Sequence, residues 1–136
     1  MMGWDLQAAR VRISGRGENA SSWISLDDVA TFAVLAATDA RLANRTVPLG
    51  GPEALSPRDV QAIAERVVGR PMKVSHLPLG VLTFARLLSG PFSDFVASAT
   101  AMSLGIAKGD VVDMAPLLRE FPVPMTTVEA HFRRSL

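Results

Sequence analysis

The segment Gly15–Ala20 is the first whose residue types and spacing could do chemistry. It reads Gly-Arg-Gly-Glu-Asn-Ala and matches G-x-G-x-x-A, in which glycines let the backbone amides of a turn cradle a phosphate. Such a turn must open a helix, whereas Ser21–Ser25 reads as a loop and a short strand. The acidic residue expected about 20 positions later at a strand end is missing, since Asp39 lies just past an apolar helix. We therefore favour a plain glycine-rich turn over a nucleotide site.

Carboxylates and imidazoles are the next candidates. Asp27 and Asp28 could act as an acid–base pair or hold a divalent ion, but adjacent helical residues point about 100° apart. Helix capping and the helix dipole explain them better. His76 and His131 show no H-x-x-H or H-E-x-x-H spacing, so we expect strand-end or surface positions and no metal site. The sequence also lacks G-x-S-x-G and S-x-x-K, and we predict no catalytic residue.

Aromatic residues and methionine are concentrated in the second half of the chain, at Phe84, Phe92, Phe95 and Met102. Packing in the core is the simpler interpretation of these side chains. The alternative is that they form the apolar wall of a small-molecule pocket, because such pockets are lined mainly by aromatic and aliphatic groups.

The elements that must position these residues follow from apolar spacing. The predicted helices cover residues 25–37, 56–68, 79–88, 92–106 and 126–132. Ser56 and Pro57 begin the second helix, Gly69 ends it, and Thr126 with Glu129 fits a capping box for the last. The first helix is apolar on nearly every side, which predicts burial on more than one face.

Short strands are predicted over residues 10–14, 23–25, 45–49 and 72–76. Alternation around Arg12 and Lys73 puts polar residues on one face of the first and last of these strands.

Composition limits the class of protein. The 136 residues are 49% hydrophobic and 20% charged, with a net charge of +1 and no cysteine. We expect a single domain over 1–136, with a mixed strand and helix part over about 11–76 and a helical part over about 77–136. The charge balance argues against nucleic acid and anionic lipid as partners. The absence of cysteine and of a membrane-length apolar run makes a cytoplasmic protein the expectation.

Four segments together resemble a known family. They are Trp23–Ala30 with its aspartates before Val-Ala, Val47–Ser56 with Gly-Gly-Pro-Glu, Val68–Pro71, and Thr127–Phe132. In this order they are similar to the C-terminal half of NmrA-like proteins, which are atypical short-chain dehydrogenases/reductases that bind NAD(P). The resemblance extends from about Val11 to the end of the chain.

The resemblance implies an α/β (α+β) fold, a small sheet of short strands with about five helices, from the substrate-binding part of that family. The family's glycine-rich nucleotide turn has no counterpart here, and the absence of tyrosine excludes a Tyr-x-x-x-Lys pair. NAD(P) is thus implied for the family, but we expect this chain alone to bind no cofactor and to be inactive alone.

The resemblance also places the substrate-facing region in the helical second half, so the predicted substrate-binding residues are Phe84, Arg86, Phe92 and Phe95. The ligand would be mostly apolar, with Arg86 or a backbone amide as its polar anchor, since Arg86 is the one charged residue between Phe84 and Phe92. The expected partner is a second copy or a separate polypeptide carrying the Rossmann half. The alternative function is a stand-alone, homo-oligomeric module that binds a small molecule or another protein.

Overall fold

A computed structural model of the protein describes residues 4–77, 98 and 108–136. These residues form a mixed α/β unit of short strands and helices, which confirms the predicted fold class. The strands are β1 (Trp4–Asp5), β2 (Arg10–Ser14), β3 (Ser21–Ser22), β4 (Ala54–Leu55) and β5 (Lys73–Leu77). The described α-helices are α1 (Leu26–Thr38), α2 (Pro57–Val68), α3 (Ala115–Glu120) and α4 (Val128–Ser135), and a 3-10 turn spans Ala40–Leu42. The helices predicted over 79–88 and 92–106 lie outside the described residues.

The main sheet contains three strands in the order β1-β2-β5. β1 runs antiparallel to β2, and β2 runs parallel to β5 in a register that places Arg10 opposite Lys73. Val11 and Ile13 are buried, whereas Arg10, Arg12 and Lys73 are exposed. One face of the sheet therefore meets the core and the other carries polar side chains, as the alternation predicts.

Helix α2 has the terminal signals that the sequence predicts. The Ser56 hydroxyl accepts a hydrogen bond from the Asp59 amide at 3.2 Å, and the Asp59 carboxylate accepts one from the Ser56 amide at 2.9 Å. Gly69 ends the helix in the left-handed conformation, with φ of 73°. The predicted apolar face is confirmed, because Val60 and Ala64 are fully buried.

Helix α1 begins where the sequence predicts, with the Ser25 hydroxyl accepting a hydrogen bond from the Asp28 amide at 3.0 Å. Only one of its faces is buried, through Asp28 and Phe32, whereas Leu26 is 85% and Val34 62% exposed. The prediction of burial on more than one face is therefore wrong. Much of the apolar character of this helix comes from alanine, whose small side chain gains little from burial.

Helix α4 begins one residue later than predicted. Its N-cap is Thr127, whose hydroxyl accepts a hydrogen bond from the amide three residues on, at 3.2 Å. Thr126, the predicted cap, donates its hydrogen bonds to the carboxylate of Asp28. The carboxylate of Glu129, which would complete the predicted capping box, lies 2.6 Å from Arg133. Phe132 is buried, which confirms that this helix carries it to the core.

Two apolar clusters hold these elements together. The first lies between the main sheet, α2 and α4, and contains Val11, Ile13, Val60, Ala64, Met72, Val128 and Phe132. The second joins α1, the 3-10 turn and α3 through Phe32, Leu42, Met114, Leu117 and Phe121.

The structure contradicts two of the predicted strands, one of which is absent and the other displaced. Residues 45–49 form no strand, and the half-buried Val47 and Leu49 pack against the second cluster. Their alternation therefore reflects side-chain packing without backbone pairing. The strand predicted over 23–25 lies earlier, at β3, which pairs with β4. Trp23 follows β3 and donates its indole N–H to the Leu55 carbonyl at 2.8 Å.

Candidate functional site

The carboxyl ends of the parallel strands β2 and β5 lie side by side at one edge of the main sheet. Ligands of α/β sheets bind beyond such ends. His76, which is opposite Ile13 in the register, places Nδ1 3.1 Å from the carbonyl oxygen of Gly15. Since a carbonyl oxygen only accepts, Nδ1 of His76 is the donor of this hydrogen bond. We call this region, made of residues 15–18 with Arg58 and His76, the carboxyl edge.

The glycine-rich turn gives the carboxyl edge its shape. Gly15 and Gly17 have φ of 70° and 68°, and a Cβ on Gly17 would lie 2.7 Å from Cγ2 of Ile13. The Gly17 carbonyl accepts the backbone amide of Arg58 at 3.2 Å, which ties the turn to the start of α2. The turn leads into β3 and opens no helix. This agrees with the prediction of a loop and a short strand after the turn, whereas the choice of a plain turn over a nucleotide site stays a prediction.

Charged groups line the outside of this turn. Nη1 of Arg58 lies 3.2 Å from Oε1 of Glu18, and both side chains are more than half exposed. Arg16 and His76 are also exposed. The edge therefore offers guanidinium donors and an imidazole ring to a polar ligand group. Within residues 4–77 and 108–136, no group of three His, Cys, Asp or Glu residues is placed to hold a metal ion.

The predicted substrate-binding residues Phe84, Arg86, Phe92 and Phe95 lie outside the described residues. The chain enters their segment directly from the carboxyl end of β5 at Leu77. They remain predictions, as does the choice between core packing and a pocket wall.

Asp28 acts as a link between distant parts of the chain. Its carboxylate is buried and accepts two hydrogen bonds from Thr126, from the amide at 2.9 Å and from the hydroxyl at 3.1 Å. Asp27 is exposed, and its carboxylate lies 4.0 Å from the guanidinium of Arg134. The two aspartates therefore share no site, as the sequence predicts. Asp28 lies in the first turn of α1 and also attaches the segment before α4 to that helix.

The Gly-Gly-Pro-Glu segment has a packing role. A Cβ on Gly51 would lie 1.5 Å from the backbone oxygen of Trp23, so only glycine fits there. The Gly50 amide lies 3.3 Å from the sulfur of Met114. On its other side, Trp23 meets the ring of Trp4 edge-on at 6.3 Å between centroids. This segment therefore joins the aromatic end of the first cluster to the second cluster.

Among the described residues, the largest change in acidity lies away from the carboxyl edge. The Arg41 side chain and backbone amide donate to the Asp39 carboxylate, with Nη2 and Oδ2 2.6 Å apart, and lower the pKa of Asp39 to about 2. The guanidinium of Arg41 also lies 4.4 Å from the centroid of Phe121. This pair fixes the 3-10 turn on the second cluster, which is a structural role.

Two contacts were missed by the sequence reasoning. The Asp28–Thr126 link spans 98 positions, and only the aspartate of the family motif pointed toward it. The bond between His76 and Gly15 depends on the parallel register of β2 and β5. No local sequence signal predicts that register.

No described helix is long and apolar enough to span a bilayer.

Known proteins resemble the chain in both sequence and fold, although no family model matches it. The photosystem II assembly factor Ycf39 of Synechocystis sp. is 31% identical over 127 residues, which cover 86% of this chain and 38% of that protein. The structure of an isoflavone reductase superposes with a TM-score of 0.66 at 20% identity, covering 93% of this chain and 43% of that one. The leucoanthocyanidin reductase–NADPH complex from Vitis vinifera superposes with a TM-score of 0.69 at 17% identity, covering 90% and 43%.

The chain thus spans about two fifths of the length of these proteins. The sequence relative, the shared fold and the ordered motifs agree with one another. The chain belongs to the NmrA-like, atypical short-chain dehydrogenase/reductase family of NAD(P)-binding proteins and corresponds to a part of such a protein.

Proposed function

We propose that this chain is the substrate-binding, C-terminal region of an NAD(P)-dependent oxidoreductase or redox-sensing NmrA-like protein, and that it is not catalytic alone. One observation carries the proposal: the match uses 86% of this chain but only 38% of the sequence relative. The glycine-rich turn within the matched part leads into a strand, so it lacks the helix that a dinucleotide phosphate requires.

The nucleotide would then be held by residues outside the matched part. The solved complex of leucoanthocyanidin reductase contains NADPH, and this chain corresponds to 43% of that protein. The remaining part of such a protein would be a nucleotide-binding half.

A substrate would lie beyond the carboxyl ends of β2 and β5. The exposed His76 and Arg16 give this edge polar groups, and the segment that follows β5 carries the predicted apolar wall. Such a division, with an apolar wall and few polar anchors, is typical of small-molecule sites. The proposed ligand is mostly apolar, with Arg86 or a backbone amide as its polar anchor.

Binding of anilinonaphthalene sulfonate tests the substrate site, because this probe joins an apolar ring system to one anionic group. We expect saturable binding, and we expect Phe92→Ala and Arg86→Gln each to weaken it about fivefold or more without lowering the melting temperature. Arg119→Gln, which removes an exposed cation on α3, is the matched control and should leave binding unchanged.

The opposite pattern would support core packing. If Phe92→Ala cost about 3–5 kcal/mol of stability and Arg86→Gln left probe binding unchanged, the rings would be core residues and the pocket would be refuted.

A second candidate function is a stand-alone homo-oligomeric module, and the outer face of α1 favours it. Five exposed apolar residues lie within about 100° of the helix circumference, namely Leu26, Ala30, Ala33, Val34 and Ala37. Sedimentation should then show a dimer that Leu26→Lys combined with Val34→Lys dissociates. A well-folded monomer of 14.5 kDa at high dilution would exclude this candidate.

A further inference from the structure

The outer face of the parallel strand pair carries a group of like charges. Arg10 and Arg12 on β2 and Lys73 on β5 are exposed, and Arg10 lies directly opposite Lys73. Neighbouring strands are about 4.8 Å apart, and alternate residues of one strand are separated by about 6.6 Å. The three cations therefore lie on one face of the strand pair, which we call the cationic face.

These three cations form no close ion pair among the described residues. No ion pair within 4.0 Å joins Arg10, Arg12 or Lys73 to a carboxylate. The acid next to them in the sheet is Asp5, opposite Arg10, and its carboxylate accepts the Ala8 amide at 2.8 Å. Asp5 offsets part of this charge, so among the described residues the cationic face carries three cations and one acid.

This arrangement is unfavourable for the isolated fold. Like charges directly opposite each other on neighbouring strands destabilise a sheet. The face with Val11 and Ile13 is buried against the core, whereas the cationic face is exposed. An acidic partner on the cationic face would offset the repulsion and cover the second face.

We propose that the cationic face binds an extended acidic segment of a partner protein, in which acidic residues alternate with neutral ones. In an extended segment, alternate side chains share one face at the same spacing as Arg10 and Arg12. The opposite sign of charge supplies the recognition, and Lys73 on the neighbouring strand adds a third contact. This inference goes beyond the proposed function and does not depend on it.

Nucleic acid is the less favoured occupant. Its binding depends on many phosphate contacts and on a basic field over the whole domain, whereas this chain has a net charge of +1. Three cations on one strand pair suit a short acidic segment better than a continuous phosphate backbone.

A labelled peptide of four Glu-Thr repeats tests the proposal by fluorescence anisotropy in about 20 mM salt, where screening is weak. The comparison peptides are four Gln-Thr repeats, a peptide with all glutamates before all threonines, and a single-stranded DNA of matched charge. The test variant is Arg12→Gln/Lys73→Gln. The matched control is Lys108→Gln/Arg119→Gln, which removes two exposed cations elsewhere.

We expect saturable binding of the alternating acidic peptide and little binding of the neutral one. Arg12→Gln/Lys73→Gln should weaken binding about fivefold or more, with no fall in melting temperature because a like-charge contact is relieved. Equal weakening in the control variant would show an effect of net charge alone and would overturn the proposal. Absence of saturable binding, equal binding of the blocked peptide, or tighter binding of the DNA would each overturn it as well.

Discussion

Replacing Asp28 by alanine should loosen the attachment of the C-terminal segment to α1. The carboxylate is 4% exposed and accepts both the amide and the hydroxyl of Thr126. Hydrogen bonds to a charged group contribute about 1.5–3 kcal/mol each. Because Thr126 is half-buried, water would replace part of this loss. We therefore expect Asp28→Ala to lower the free energy of unfolding by about 2–4 kcal/mol.

Asp27→Ala is the matched control for this prediction. It removes an acid from the same first helical turn, so it loses the same interaction with the helix dipole, about 0.3–1 kcal/mol. Its side chain is 81% exposed, and the contact with Arg134 is long at 4.0 Å. Asp28→Asn should lie between the two, because an amide oxygen can still accept one of the bonds from Thr126.

Urea unfolding of the three variants measures these differences, provided that the slope of free energy against urea stays constant. A double-mutant cycle with Thr126→Val should give a coupling energy of at least about 1 kcal/mol. If Asp28→Ala and Asp27→Ala destabilised the protein equally, the assignment of Asp28 as a link would be wrong.

Two further predictions concern the other fixed points of the fold. Gly51→Ala should prevent native packing, because its Cβ would lie 1.5 Å from the backbone oxygen of Trp23. The Cβ of Gly69→Ala would meet no atom within 4 Å, so this variant should lose only the left-handed backbone penalty of about 1–2 kcal/mol. Circular dichroism and thermal melts measure the difference, and similar losses of stability in the two variants would contradict this prediction. The Arg41 donors lower the pKa of Asp39 from 3.8 to about 2, so its stabilising contribution is present above pH 3.8 and is lost as the pH falls toward about 2. The gap in melting temperature between the protein and Asp39→Asn should shrink over that range, and a gap that widened on acidification would contradict the assigned pair.

Local signals predicted the elements whose stability is local. Ser56 and Gly69 predicted the two ends of α2, and the alternation around Arg12 predicted β2 with the bounds that the structure shows. These features depend on hydrogen bonds and apolar faces within a few residues of each other. A single sequence displays such patterns directly.

Long-range packing accounts for what the sequence did not predict. Val47 and Leu49 alternate like a strand, but their side chains fill the second cluster while the backbone pairs with nothing in the described part of the chain. Thr126 resembles a helix cap, but its hydroxyl bonds to Asp28 on another helix. In the candidate site, the sequence placed His76 near a strand end, whereas its partner Gly15 followed only from the pairing of β2 with β5.

Titration with NADPH tests the central claim most directly, because the proposed substrate-binding region should lack a dinucleotide site of its own. Trp4 and Trp23 lie in one aromatic cluster, with Trp4 also 6.1 Å from Phe132 between centroids, so their fluorescence would report a ligand that perturbs it. We predict no saturable tryptophan quenching at micromolar NADPH and no heat of binding by calorimetry. Saturable quenching with a micromolar midpoint that Arg16→Gln abolishes would show that the turn at residues 15–20 binds the nucleotide, and it would contradict the proposal.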